Sequence, residues 1–339
     1  MIRRILAPLD GSTRAEAVLP HVRRLARVFQ ARVDLIHVSE GQTFGEPFPG
    51  SDVLSNRLFR ARVARYLERK AGELREEGVE VWTRVEQGSP AEVIVGLLRR
   101  GEYDLVALTQ HGRGGDHTLR MGCTALAVVL NAPTSILLAP GDIHQDIPAG
   151  SSVPGYTRVV APVDCSPLGD WSLAMAARVA RKSGAALDVV HVLTPPEMVH
   201  RLPPVSAVRT FIHDVMEANR NAAARYLEEV VWRFHGPDLE VRHEIVEARG
   251  SVAEALRDFM VSRPVDLLVM AAHGQGGSSA WPLGSTASKV LFQSPEAVLV
   301  LQDQVADYLK VNPVMRVPRA RRAEAEDETP AMLDESYFT

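Results

Sequence analysis

Two glycine-rich stretches carry the residue types best suited to chemistry in this chain. One runs His111-Gly112-Arg113-Gly114-Gly115-Asp116-His117-Thr118-Leu119-Arg120-Met121-Gly122-Cys123-Thr124, the other His273-Gly274-Gln275-Gly276-Gly277-Ser278-Ser279-Ala280-Trp281-Pro282-Leu283-Gly284-Ser285-Thr286. Glycine lets a backbone approach an anion closely. A helix starting just after such a loop offers free N–H groups and the positive end of its dipole, a combination that favours phosphate. Neither loop continues into Gly-Lys-[Ser/Thr], and no full G-x-G-x-x-G follows the first apolar run, which argues against P-loop hydrolysis and weakens a dinucleotide reading. His111 and His273 can either donate to a phosphate or hold a backbone carbonyl. Arg113 can pair with phosphate oxygens or stay solvated, whereas Gln275 at the matching place brings no charge. His111 and His117 lack a carboxylate or cysteine at metal-ligand spacing, so no metal site is expected. Cys123 falls at an expected helix start, where a thiolate is favoured, but no base stands beside it in sequence to make a nucleophile. Trp281 and Pro282 suggest a stiffer second loop, with tryptophan packing as the simpler role.

A second constellation lies upstream of each loop. Pro8 and Asp10 follow one short apolar run, and Pro162 and Asp164 follow another. An aspartate at a strand end can accept from a ribose hydroxyl or an adenine amino group, or it can cap the next helix; both roles stay open. His37 and His191, inside apolar runs, read as satisfied core histidines.

These elements recur because the chain is a duplication. Ile5-Leu6-Ala7-Pro8-Leu9-Asp10-Gly11-Ser12 matches Val159-Val160-Ala161-Pro162-Val163-Asp164-Cys165-Ser166 at an offset of 154, which Ile36-His37-Val38 and Val190-His191-Val192 keep. Gly88-Ser89-Pro90-Ala91-Glu92 matches Gly250-Ser251-Val252-Ala253-Glu254 at 162, as do Asp104-Leu105-Val106 with Asp266-Leu267-Leu268 and His111-Gly112 with His273-Gly274. Each copy alternates strand and helix. In the first, strands are expected over residues 4–8, 33–38, 79–85, 105–108 and 135–139, and helices after Ser12 or Thr13 with Glu16 completing a capping box, over 56–77, over 90–99 and from Thr124. In the second, Ser166-Pro167 opens a helix, and strands are expected over 187–193, 241–246, 267–270 and 297–301, with helices over 206–232, over 252–261 and from Thr286. Such alternation builds parallel sheets with helices on both faces. The expected organisation is one domain over residues 1–140, a linker over 141–156, a second domain over 157–302 and a flexible charged tail over 303–339.

Composition fits that layout. Of 339 residues 46% are hydrophobic and 24% charged, a balance ordinary for a folded soluble protein. The formal charge of −4 gives no global field for nucleic acid or anionic membrane. Two cysteines cannot form a disulfide framework and fit a reducing compartment. Pro8 and Asp10 interrupt the apolar run a signal peptide would need, so the expected location is the cytoplasm.

The residues of both loops and both strand ends resemble the universal stress proteins, over about residues 1–140 and 157–302. That family's signature is G-x2-G-x9-G-[ST]. Gly112, nine residues and Gly122 fit its second part, with Thr109 where the leading glycine belongs and Cys123, followed by Thr124, at the final position. Gly274, nine residues, Gly284 and Ser285 fit in the second copy, with Ala271 at the leading position. The resemblance implies two tandem doubly wound, Rossmann-like α/β domains that bind ATP or a related adenine nucleotide, with or without Mg2+. It places Pro8, Asp10 and Val38 at the adenosine end in the first copy and Pro162, Asp164 and Val192 in the second. Gly112, Arg113, Gly122, Cys123 and Thr124, or Gly274, Gly284, Ser285 and Thr286, would face the phosphates. The second copy stands nearer the ATP-binding pattern. No residue set reads as a base or water-positioning group, so a nucleotide-sensing protein is expected rather than an enzyme. A nucleotide-free interaction module and an adenylate-forming or sulfur-transfer enzyme are the rival readings. Family members pair through their last strands, which implies pairing of residues 135–139 with 297–301 inside one chain and leaves a homodimer open.

Overall fold

The computed structural model describes residues 2–40, 53–113, 121–141, 155–195, 206–274 and 282–302, with side chains of the two longest helices described from residues 57 and 210 onward. The remainder of both glycine loops, including His117, Gln275 and Trp281, most of the expected linker and the expected tail lie outside the described residues.

In the first half the order is β1 (Arg4–Pro8), α1 (Thr13–Glu16), α2 (Leu19–Phe29), β2 (Arg32–Ser39), α3 (Val53–Arg75), β3 (Val81–Gln87), α4 (Pro90–Arg99), β4 (Leu105–Thr109), α5 (Cys123–Asn131) and β5 (Ser135–Ala139). The second half repeats it: β6 (Arg158–Val163), α6 (Pro167–Ser183), β7 (Ala186–Leu193), α7 (Ser206–Phe234), β8 (Val241–Glu247), α8 (Val252–Val261), β9 (Leu267–Ala271), α9 (Ser285–Gln293) and β10 (Ala297–Leu301). All strands join one sheet in the order β3-β2-β1-β4-β5-β10-β9-β6-β7-β8. Each half is parallel throughout, and the halves meet where β5 and β10 pair antiparallel, Ile136 opposite Val300, Leu137 opposite Leu299 and Leu138 opposite Val298. The last strands therefore pair within one chain. β4, β5, β9 and β10 are buried at every position, as their unbroken apolar runs require when helices cover both faces. The outer strands β3 and β8 instead carry exposed charges, Arg84 in one and Arg242 and Glu247 in the other, which discourage further pairing at the edges.

The seam between halves is sealed on both faces. On one, Val128 and Val129 of α5 belong to the same apolar cluster as Val290 and Leu291 of α9, Leu138 and Val300. On the other, α2 packs on α6. There Tyr156 is fully buried with its hydroxyl 3.1 Å from His21 Nδ1, while the Arg24 guanidinium lies 4.8 Å above its ring.

Local chemistry explains where the elements depart from expectation. The first helix breaks in two because Pro20 begins α2, and a proline has no N–H to continue the ladder from the turn before. Ser12 caps α1 by accepting from Ala15 N, so Ala15 and not Glu16 holds the third helical position and no capping box forms. Glu16 instead accepts from Tyr66 Oη at 2.9 Å and pairs with Lys70 Nζ at 2.9 Å, reaching across to α3. A true capping box stands at α8, where Glu254 N donates to Ser251 Oγ and Ser251 N to Glu254 Oε2. The repeated Asp104 and Asp266 serve the back of the sheet: each accepts the first N–H groups of the neighbouring strand, from Arg3 and Arg4 in one half and from Thr157 and Arg158 in the other.

Candidate functional site

In each half the crossovers leave β1 and β4, or β6 and β9, toward opposite faces of the sheet, so a crevice opens at their carboxyl ends. Pro8 and Pro162 stand at those ends, Asp10 and Asp164 two residues beyond, and Val38 and Val192 near the ends of β2 and β7. Gly112 and Gly274 open the loops after β4 and β9, and Gly122 and Gly284 cap α5 and α9. Topology thus brings the expected residues of each half to one edge of the sheet.

The aspartates prove to organise their own turns. Asp10 Oδ1 accepts from Ser12 N at 2.9 Å and Ser12 Oγ at 2.6 Å, and Asp164 Oδ1 accepts from Ser166 N at 3.1 Å and Ser166 Oγ at 2.5 Å. Neither aspartate caps a helix; each fixes the serine that does, through a turn in which the side chain mimics backbone. Asp10 Oδ2 also accepts from Arg113 N at 2.5 Å. Burial pushes the Asp10 carboxyl upward, but the Ser12 hydroxyl, the Arg113 and Ser12 N–H groups and the Arg113 charge outweigh it and hold the group below its ordinary range. Arg113 folds back over this turn, its guanidinium 3.2 Å from where a Cβ on Gly11 would lie. That geometry places the Arg113 charge beside the Asp10 carboxylate.

Glycine is needed at Gly112 and Gly274 because any Cβ there would run into Asp10 Oδ2 or Asp164 Oδ2. At the other end of each loop, Gly122 N donates to Gln110 O and Gly284 N to Ala272 O, both at 2.8 Å, closing the turn from strand to helix. The N–H groups of these two glycines are therefore spent. Among the described residues, what remains for an anion is the first turn of α5 and of α9, where no side chain caps the helix. In the second half that turn begins at Ser285 and Thr286, and a Cβ on Gly284 would stand only 3.0 Å from Ala272 O; the corresponding approach at Gly122 is a looser 3.5 Å. In the first half the turn begins at the exposed Cys123 and Thr124.

A cavity of about 650 Å³ occupies the second-half crevice. The second-half residues that the family resemblance assigns to a nucleotide line it: Pro162, Asp164, Val192, Gly274, Gly284, Ser285 and Thr286. Its volume falls in the range of ordinary small-molecule sites. His273 contributes to its wall and is buried. Sequence reasoning missed Ser172 on α6, Val252 and Leu256 on α8, and Val129 and Leu130 from the first half. The α6 and α8 residues fall on helices whose amphipathic faces point at the sheet, a signal that marks burial but not a cavity. The described lining residues include neither lysine nor arginine.

His37 is a buried core histidine, whereas His191, also expected in the core, is only partly buried and lines the cavity. Their Nδ1 atoms lie 2.8 Å from Leu9 O and 2.9 Å from Val163 O, tying β2 to the turn after β1 and β7 to the end of β6. Cys165 occupies the left-handed position that Gly11 holds in the first half, with φ of 60° against 81°. Burial of part of its side chain, followed by the charges of Asp164 and Asp170, pushes its thiol up to about 11. Among the described residues no group of three His, Cys, Asp or Glu could hold a metal ion.

The model of the universal stress protein family matches residues 1–140 and 155–302. Similar proteins include a universal stress protein of Methanocaldococcus jannaschii, 28% identical over 139 residues that cover 41% of this chain and 82% of that one. A universal stress protein of Mycolicibacterium smegmatis is 24% identical over 305 residues, 88% of this chain and 96% of that one. Among solved structures, a universal stress protein of Archaeoglobus fulgidus shares the fold with a TM-score of 0.60 at 19% identity, covering 88% of this chain and 96% of that one.

Proposed function

The chain belongs to the universal stress protein family, and on that premise we propose that its second half binds ATP or a related adenine nucleotide, so that the protein acts as a nucleotide-sensing module. One observation carries the reading: the residues that family resemblance assigns to adenosine and phosphates converge on a single cavity, below an uncapped helix amino terminus. The adenosine end would lie along Pro162, Asp164 and Val192, and the phosphates against the first turn of α9. The close approach of Gly284 to Ala272 O is a cradle that any side chain would fill, as a backbone site for an anion requires. Without lysine or arginine among the described lining residues, phosphate charge would be met by N–H groups, the helix dipole and any Mg2+ that arrives with the nucleotide.

The first half is built on the same plan, with Gly122, Cys123 and Thr124 at its anion end; the second half is proposed as the stronger site because Ser285 keeps the hydroxyl that Cys123 lacks and the residues assigned to the nucleotide line one cavity there. The protein is proposed to sense and not to turn over its ligand; a response to stress, a cytoplasmic location and a homodimer belong to the same proposal. No described helix is long and apolar enough to cross a membrane. Isothermal titration with ATP tests the reading. The expected affinity is about 1 mM or tighter. Gly284→Val should abolish it at the second-half site while Gly122→Val removes only any weaker first-half component. Wild-type protein that takes up no adenine nucleotide at millimolar concentration refutes the proposal and leaves a nucleotide-free interaction module.

A further inference from the structure

The cavity of the second half is not made by that half alone. Val129 and Leu130, near the carboxyl end of α5 in the first half, stand in its wall. The antiparallel pairing of β5 with β10 explains their arrival. Each last helix runs back along the sheet against its own last strand, so reversing one strand against the other sets the carboxyl end of α5 level with the amino end of α9. Ser285, Thr286, Ala287 and Ser288, the first turn of α9, line the same cavity. The two halves differ at this point. Val129 is fully buried and fixes the wall, while Leu130 is 42% exposed; at the matching place in the second half stands Phe292, packed against the apolar cluster.

The seam also grips the loop that precedes α9. Gln302, just past β10, donates its backbone N–H to Ser135 Oγ of the first half at 3.1 Å and its side-chain amide to Pro282 O of the loop at 2.8 Å. From the other direction Gln110 Nε2 of the first half donates to Ser294 O at the end of α9, at 3.2 Å. The loop before α9 and the residue after its carboxyl end are thus both tied to the first half, one through Gln302 and the other directly.

We propose that the second-half site is composite: Leu130 of the first half stands in the wall that a phosphate tail would face, so that a charge placed at position 130 alters how the site discriminates adenine nucleotides by phosphate number. This rests on the reading of the cavity as a nucleotide site. An apolar side chain in this wall offers a phosphate tail no charge, so the wild-type preference among adenosine, AMP and ATP owes nothing to a charge at position 130. A charge placed at Leu130 would add to or subtract from that preference in proportion to the ligand's own charge, and would leave adenosine nearly untouched.

The test uses the full chain and titrates adenosine, AMP and ATP into wild type, Leu130→Lys and Leu130→Glu. Leu130→Lys should raise the ratio of ATP to AMP affinity roughly fivefold, and Leu130→Glu should lower it by a similar factor, both effects shrinking as salt is added. Opposite shifts from two substitutions at one half-exposed position cannot come from misfolding, which would weaken every ligand alike. Wild type that binds ATP while both variants keep its ATP-to-AMP ratio within about twofold overturns the composite site and leaves the nucleotide reading standing. Wild type that binds none of the three overturns both.

Discussion

Replacing His21 with glutamine should remove a pH dependence that wild type carries. The His21 ring stacks on Tyr156, over which the Arg24 guanidinium also lies, and its imidazole is held down to about 3, first by burial and then by the Arg24 charge, with Asp266 opposing. Its ordinary value is 6.5. The folded state therefore keeps His21 neutral while the unfolded chain takes up a proton near 6.5. Stability from this residue is fully present above that pH and is lost as pH falls toward 3. Each unit of that interval is worth ~1.4 kcal/mol, a ceiling near ~5 kcal/mol over the whole range. His21 is only part-buried, so solvent relaxation should return about half of it. Between pH 7.5 and 5.0 the His21 contribution should therefore fall by ~1 to 2 kcal/mol. The assay is urea unfolding of both proteins at the two pH values, comparing the losses, because the chain holds eleven histidines and the difference isolates one. Glutamine can still bond the Tyr156 hydroxyl without titrating. If both proteins lose stability equally, within ~0.5 kcal/mol, the ring is not desolvated and the seam it closes is looser than described.

Four further outcomes are expected. Gly274→Ala should cost ~1 to 3 kcal/mol in urea unfolding, because the new Cβ must displace an Asp164 carboxylate that Ser166 holds by two hydrogen bonds. Cys165→Gly should raise the midpoint slightly, by ~0.5 kcal/mol, since relief of a left-handed non-glycine residue exceeds the added chain entropy. With its thiol pushed up to about 11, Cys165 should alkylate far more slowly at pH 8 than an unperturbed cysteine, and its rate should keep rising to pH 11 when iodoacetamide labelling is followed by peptide mass spectrometry. Ser251→Ala should lower stability by ~1 kcal/mol in thermal or urea unfolding, as loss of a capping box predicts, whereas Glu16→Ala should act through Tyr66 and Lys70 and leave the α1 cap in place.

Much of the fold was legible because its signals are local. Alternating runs of β-branched residues, a serine before Pro167, a proline before a helix at Pro90 and an internal repeat each need only a short window of chain, and the repeat doubles the evidence. Where one local signal competed with a tertiary one the reading slipped: Glu16 has capping-box spacing, but α3 supplies Tyr66 and Lys70 as stronger partners. The glycines of the loops were equally legible, yet their spacing could not tell which N–H groups stay available. Only the folded chain assigns those of Gly122 and Gly284 to strand-end carbonyls and leaves the first helical turns uncapped.

Sequence alone determined the duplicated α/β plan, the strand ends where a ligand would sit and the residues expected there, since these follow from periodicity, turn chemistry and repetition along the chain. Tertiary structure decided that Arg113 turns back onto the Asp10 turn, that the second-half crevice holds a cavity, and that Leu130 of the first half stands in the wall of that cavity. Those outcomes depend on contacts between elements far apart in sequence, the first brought about by the pairing of β1 with β4 and the last by that of β5 with β10, and no window of local pattern records which side chain will face which cleft.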